Sequence, residues 1–125
     1  MILDTNGLSG VAEGESALEP VLRKAAQVAI PVIVLGEFRY GISQSRKRAY
    51  YEQWLAEYLP KFRILDLDER TTISYSAVRT ELRKAGTPIP SNDIWIAALC
   101  RQHSLPLLSR DRHFDAVSGI TRVAW

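Results

Sequence analysis

Apolar residues fall along this chain in two patterns, short unbroken runs and stripes spaced three and four apart, and these are the signatures of buried strands and of amphipathic helices. The first run, Met1-Ile2-Leu3, goes straight into Asp4, so residues 2–4 read as a short buried strand ending on an acid. "TNGLSG" at 5–10 reads as a turn. Ser16 and Glu19 have the spacing of a capping box opening a helix, continued by Leu18, Val21, Leu22, Ala25 and Val28, with Pro20 tolerable near its first turn. "AIPVIV" at 29–34 is β-branched and apolar on both alternations, which predicts a second strand covered on both faces.

Helical spacing returns at 35–44 and again at 45–62, where Tyr51, Trp54, Leu55, Tyr58 and Leu59 share a face and Pro60 ends the helix. "RILDL" at 63–67 is a third strand. Asp68 is placed to cap a helix over 69–86, with Gly86 just past its end. After the turn "TPIPSN", "DIWIAALCRQH" at 93–103 reads as a buried helix, "LPLLS" at 105–109 as a strand and "ITRVAW" at 120–125 as the last strand. Strands alternating with helices predict an α/β fold with a mainly parallel, roughly five-stranded sheet wrapped by helices on both faces.

Composition narrows the picture. With 125 residues, 46% of them apolar, the chain suffices for one domain with a real core over 1–125. A net charge of +2 is too small for binding nucleic acid by bulk charge, so any polyanion must meet a local patch. The single cysteine, Cys100, has no intramolecular disulfide partner, which predicts a reducing, cytoplasmic setting. No run reaches the roughly 18–20 apolar residues of a membrane span, and no signal-peptide pattern opens the chain.

Four acids fall where such a sheet builds its sites, beyond the carboxyl ends of its strands. Asp4 ends strand one, Glu37 lies about a turn past "PVIV", Asp93 opens the helix "DIWIAALC", and Asp111 follows "LPLLS" after Ser109 and Arg110. Each alone has an ordinary reading as a strand end, a solvated helix residue, a helix-start carboxylate or a loop aspartate. Together they are costly. Two carboxylates about 4 Å apart repel by roughly 4 kcal/mol at an effective dielectric of 20, so four must raise their pKa values or recruit a cation. Oxygen donors select Mg²⁺ or Mn²⁺, and two scattered histidines with one cysteine make no zinc site.

With those acids placed, the sequence resembles PIN-domain ribonucleases, and in particular the VapC toxins of toxin–antitoxin pairs. "MILDTN" is similar to the family's opening strand, with Asp4 and the polar Asn6. "VLGEFRYG" carries Glu37. "PIPSNDIWIAAL" supplies Asn92 and Asp93, and "LLSRDRHFDAV" supplies Asp111 with Ser109 where threonine is more usual. The resemblance implies a PIN-like three-layer α/β/α sandwich and a metal-dependent endoribonuclease, with Mg²⁺ or Mn²⁺ activating water for in-line attack on a phosphodiester. A 5′-phosphate and a 3′-hydroxyl should result.

The resemblance makes Asp4 and Asp93 the principal metal ligands, Glu37 a ligand or the base that orients water, and Asp111 the residue that completes the set. Asn6, Asn92 and Ser109 would orient these acids by hydrogen bonds. Asp115 would join them only if its loop turned inward. Arg39, Arg46, Lys47, Arg48, Arg110 and Arg112 are the basic residues nearest the acids in sequence, available for RNA phosphates. The resemblance further implies a homodimer and a cognate VapB-like antitoxin, for which Tyr51, Trp54 and Tyr58 offer either a groove or ordinary core packing.

Three other chemistries compete. An aspartate-nucleophile phosphatase wants a second aspartate where Asn6 stands, and a metal-independent ribonuclease would need His103 and His113 as a pair. A non-catalytic module would use the acids only as a scaffold.

Overall fold

The computed structural model describes residues 1–125 as five parallel strands in the order β3-β2-β1-β4-β5, flanked by six helices in an α/β/α sandwich. The strands are β1 (Ile2–Leu3), β2 (Ala29–Pro31), β3 (Arg63–Leu65), β4 (Leu107–Leu108) and β5 (Arg122–Val123). The helices are α1 (Thr5–Glu13), α2 (Glu19–Arg23), α3 (Val32–Ser43), α4 (Arg48–Tyr58), α5 (Glu69–Ala85) and α6 (Ser91–His103). Ile2, Leu3, Ile30, Leu107 and Leu108 are wholly buried, as expected of a parallel sheet covered on both faces. β1 sits at the centre, with β2 on one side and β4 on the other. The strand order therefore reverses between β1 and β4, and open parallel sheets bind ligands beyond the carboxyl ends of the strands at such a point.

Two sequence expectations are corrected at the start of the chain. "TNGLSG" is not a turn but the first two turns of α1. Asp4 caps that helix, its Oδ1 accepting from the Gly7 amide at 2.8 Å, while Leu8 and Ala12 supply a buried stripe. Glycine is a weak helix former, yet Gly7 is required here by close approach: a Cβ would lie 3.0 Å from the Leu108 carbonyl and 3.3 Å from Asp4 Oδ1. Ser16 and Glu19 form no capping box. Ser16–Leu18 is a 3₁₀ turn, α2 begins at Glu19 without a side-chain cap, and it ends at Arg23, short of Ala25 and Val28. Pro20 occupies the helix start, where its missing N–H costs nothing.

The third correction moves the second acid. "AIPVIV" is strand only to Pro31, and Val32 already opens α3. Val34, Phe38 and Ile42 are buried at a spacing of four, and Val32 is 39% exposed, which no doubly covered strand would allow. β-branched residues here obey packing on the sheet rather than their own strand preference.

Elsewhere the expected elements form with shifted ends. α4 covers the middle of 45–62 and gives way at Leu59–Lys61 to a 3₁₀ turn around Pro60. Asp68 caps α5 in a reciprocal box with Thr71, and Gly86 ends it in the left-handed conformation at φ 71°. α6 begins two residues early, at Ser91, so Asp93 lies inside its first turn. Cys100 is buried with its thiol pushed up to about 12, so it is inert. No helix is long and apolar enough to cross a membrane.

Candidate active site

The edge beyond β1 and β4 receives its first acid directly from the sheet. Asp4 follows β1 and is 4% exposed, with both carboxylate oxygens engaged. Oδ1 caps α1, and Oδ2 accepts a short hydrogen bond from the hydroxyl of Ser109, the buried residue that follows β4. Ser109 Oγ also accepts from the Asp111 amide at 2.9 Å. One hydroxyl thus fixes two acids from neighbouring strands relative to each other. Asp111 in turn caps a 3₁₀ turn over Arg112–Ala116, accepting from the His113 amide at 2.8 Å.

Glu37 and Asp93 come from the helices. Asn92 donates through Nδ2 to Glu37 Oε1 at 2.7 Å, tying the first turn of α6 to the second turn of α3. The Thr5 hydroxyl donates to Glu37 Oε2 at 3.1 Å, which ties α3 to the start of α1. Asp93 faces the same centre. It feels the charges of Asp111 and Glu37, and its Oδ2 lies 3.6 Å from His113 Nδ1, which is itself 3.2 Å from Asp111 Oδ1. Ligand atoms of Asp93, Asp111 and His113 all lie within 4.8 Å of one another.

The electrostatics agree with crowding. Burial raises the Asp4 carboxyl above its ordinary value, and Asp111 adds to the rise against the opposing hydrogen bonds from Ser109 and Gly7. Asp93 is raised by burial first and by Asp111 next, with His113 opposing. Between the ordinary carboxyl value and these raised folded values, the folded chain holds more protons than the unfolded one. The contribution of each group to stability therefore falls as pH rises through that window. Asp68, Glu81 and Asp115 are lowered and act in the opposite sense, so the difference between two proteins is the diagnostic quantity. In chelator, Asp93→Asn is expected to gain melting temperature relative to wild type as pH climbs from about 4 towards neutrality. A constant difference across that range would refute the crowding, and added Mn²⁺ should stabilise only the wild type.

Of the seven residues that the sequence suggested, Asp4, Glu37, Asp93, Asp111, Asn92 and Ser109 are joined by contacts or direct electrostatic coupling. Asn6 is exposed and makes no hydrogen bond to the acids; Thr5 and Gly7 make the contacts at that corner. His113 was considered only for a histidine pair. It lies against Asp93 at the start of α6, whereas His103 closes the same helix ten residues on, about 15 Å away at 1.5 Å per residue. That pair is not assembled. The sequence signal for His113 was its place two residues after Asp111. Asp115 pairs with Arg122 at 2.7 and 2.9 Å and so faces β5 rather than the acids.

A cleft of about 850 Å³ holds none of Asp4, Glu37, Asp93 and Asp111. Val11, Tyr50, Trp54, Tyr58 and Phe62 line it, with Glu19 and Glu57 among the other lining residues. Part of the aromatic stripe is core and part lines this cleft. Trp54 and Tyr51 pack edge-on to the buried Phe38 at 6.3 and 6.1 Å, while Trp54 and Tyr58 also line the cleft.

The family profile described as PIN domain matches residues 1–120. Ribonuclease VapC2 of Rickettsia felis is 30% identical over 106 residues, covering 84% of this chain and 79% of that protein. Ribonuclease VapC5 of Mycobacterium tuberculosis is 27% identical over 124 residues, covering 98% and 90%. Among solved structures, VapBC2 from Rickettsia felis bound to a DNA fragment from its promoter superposes with a TM-score of 0.89 at 27% identity, over 99% of this chain and 97% of the other. FitAcB from Neisseria gonorrhoeae gives 0.83 at 27% identity, over 97% and 94%.

Proposed function

Because this chain belongs to the PIN-domain family, we propose that it is a metal-dependent endoribonuclease, the toxin of a toxin–antitoxin pair. The observation that carries this reading is that Asp93, Asp111 and His113 present ligand atoms within 4.8 Å of one another, with Asp4 tied to Asp111 through Ser109 and Glu37 electrostatically coupled to Asp93. The relatives bearing the name ribonuclease VapC support it. A donor set dominated by carboxylate oxygens fits Mg²⁺ or Mn²⁺. Asp4, Asp93 and Asp111 would hold the ion, with Glu37 as a further ligand or as the base that orients water.

Once bound, such an ion neutralises phosphate charge and makes water a competent nucleophile. The protein contributes position. Ser109 holds Asp4 and Asp111 in fixed relation, Asn92 and Thr5 hold Glu37, and His113 braces Asp93 and Asp111. Short buried strands make this arrangement rigid before substrate arrives, which limits reorganisation on binding.

The partner reading follows the same logic. A VapB-like antitoxin would lay an apolar segment along the cleft between α1 and α4, where Trp54, Tyr58 and Phe62 are open to it. Two toxin copies would act together in the cytoplasm.

The test is cleavage of a defined RNA, with end chemistry determined. Cutting that requires Mg²⁺ or Mn²⁺, stops in chelator and leaves 5′-phosphate and 3′-hydroxyl ends is the expected result. Cleavage that persists in chelator and leaves cyclic phosphates would reject the carboxylate mechanism. Metal binding without any cleavage would favour a non-catalytic module.

A further inference from the structure

Two of the three close-set donors, Asp111 and His113, ride on one short segment that leaves β4 and ends in a 3₁₀ turn. Inside it the Asp111 amide donates to Ser109 Oγ at 2.9 Å and the His113 amide donates to Asp111 Oδ1 at 2.8 Å. These bonds set the donors relative to Ser109. They do not by themselves hold the far end of the segment, where Asp115 is exposed. Charge works against closure, because Asp4 and Asp93 both feel the like charge of Asp111. Until a cation binds, the acids push this segment away from the sheet edge.

Arg122, on β5, spans the segment from outside. Its Nε and Nη2 donate to the two carboxylate oxygens of Asp115 at 2.7 and 2.9 Å, and its Nη1 donates to the Ser109 carbonyl at 3.1 Å. One guanidinium therefore joins residues that flank Asp111 and His113 on either side. β5 also takes the Ser109 amide, which donates to the Val123 carbonyl at 3.1 Å, so Ser109 is gripped through both of its main-chain groups.

A single exposed ion pair would count for little. The Arg122 side chain is only 16% exposed, against 77% for Arg23 and 60% for Arg48 in their pairs along a helix. Three of its five N–H donors are engaged in fixed directions, two of them as a fork on one carboxylate. That is a planar grip which an ammonium group cannot reproduce. Arg122 also feels the negative charge of Asp111, an attraction that opposes the repulsion among the acids.

We infer that Arg122 is a positioning residue for the metal centre, a staple that closes segment 109–115 so that Asp111 and His113 stay beside Asp93. This rests on the metal-dependent reading and adds what holds two of the donors in place. Mn²⁺ binding without RNA, followed by the electron paramagnetic resonance signal of the free ion, compares wild type with Arg122→Gln, Arg122→Lys, Asp115→Asn and the double variant Arg122→Gln/Asp115→Asn. Arg122→Gln and Asp115→Asn are each expected to weaken binding about 10-fold or more, the loss typical of a partner that orients a metal ligand. The double variant should bind no more weakly than the weaker single one, since both remove the same link. Arg122→Lys should recover little, because it restores charge without the fork. Arg101→Gln is the control. Arg101 is engaged in the same manner, with Glu81 and with Ser118, but lies eight residues past Asp93 on α6, about 12 Å along the helix. It should lose melting temperature and bind Mn²⁺ as wild type does.

Wild-type Mn²⁺ affinity in Arg122→Gln would overturn the inference. So would full recovery in Arg122→Lys, which would make the effect one of charge alone, or an equal loss in Arg101→Gln, which would make it general destabilisation. Unchanged Mn²⁺ affinity with weakened RNA binding would turn Arg122 into a phosphate contact and overturn it too. If Arg122→Gln does not fold, Asp115→Asn tests the same link from its exposed end. A wild type that binds no Mn²⁺ sinks the metal-dependent reading itself, whereas tight binding by wild type and all variants sinks only the staple.

Discussion

Asp4→Asn and Asp93→Asn are each expected to lower metal-dependent RNA cleavage by more than about 100-fold, beyond the 10–100-fold typical of losing a residue that only orients a ligand. Asparagine keeps the shape of aspartate and removes the charge that a cation needs. At position 4 its amide oxygen can still accept from the Gly7 N–H, so the start of α1 is preserved. At position 93 the exchange also relieves repulsion from Asp111 and Glu37. Folded, inactive variants, verified by circular dichroism and a cleavage time course, are therefore the expected outcome. Near wild-type cleavage in either one would remove that residue from the site. Loss of fold in Asp4→Asn would shift its importance from chemistry to the cap and the bond with Ser109.

Phe114→Ala should have the largest effect on stability, about 3–5 kcal/mol for a buried phenylalanine. Phe114 is 1% exposed and sits inside the 3₁₀ turn that Asp111 opens and that carries His113. Its ring anchors this turn to the core, so truncation leaves a cavity and loosens one acid and the imidazole together. Urea unfolding should give the stability loss, and activity measured at a temperature where the variant remains folded should fall too. A loss below about 1 kcal/mol would mean that the site collapses around the smaller residue.

How far the site could be read in the sequence depended on which backbone held each acid. Asp4 and Asp111 come just after short apolar runs that read as buried strands and form them, so their place at the sheet edge followed from the hydrophobic pattern. Asp93 was equally legible, because helix α6 is apolar almost all round and its first turn must lie at that edge. Glu37 was found on a correct helix reached by a wrong route, since three valine and isoleucine residues read as strand were the first turn of α3. Thr5, Gly7 and His113 were not legible as site members. Their roles arise from contacts across 3 to 32 positions and from a 3₁₀ turn that no periodicity announces.

Most of the alternation of strands and helices, the parallel sheet and the choice of candidate acids could be read from the sequence, because burial of apolar runs and stripes is a local demand that each segment states for itself; α1, read as a turn, could not. Which end of α1 caps on Asp4, how Ser109 joins two acids and where His113 lies were decided only by the tertiary structure. These depend on distances between segments remote in the chain, and a few tenths of an ångström, as at Gly7 against the Leu108 carbonyl, determine whether the segments meet.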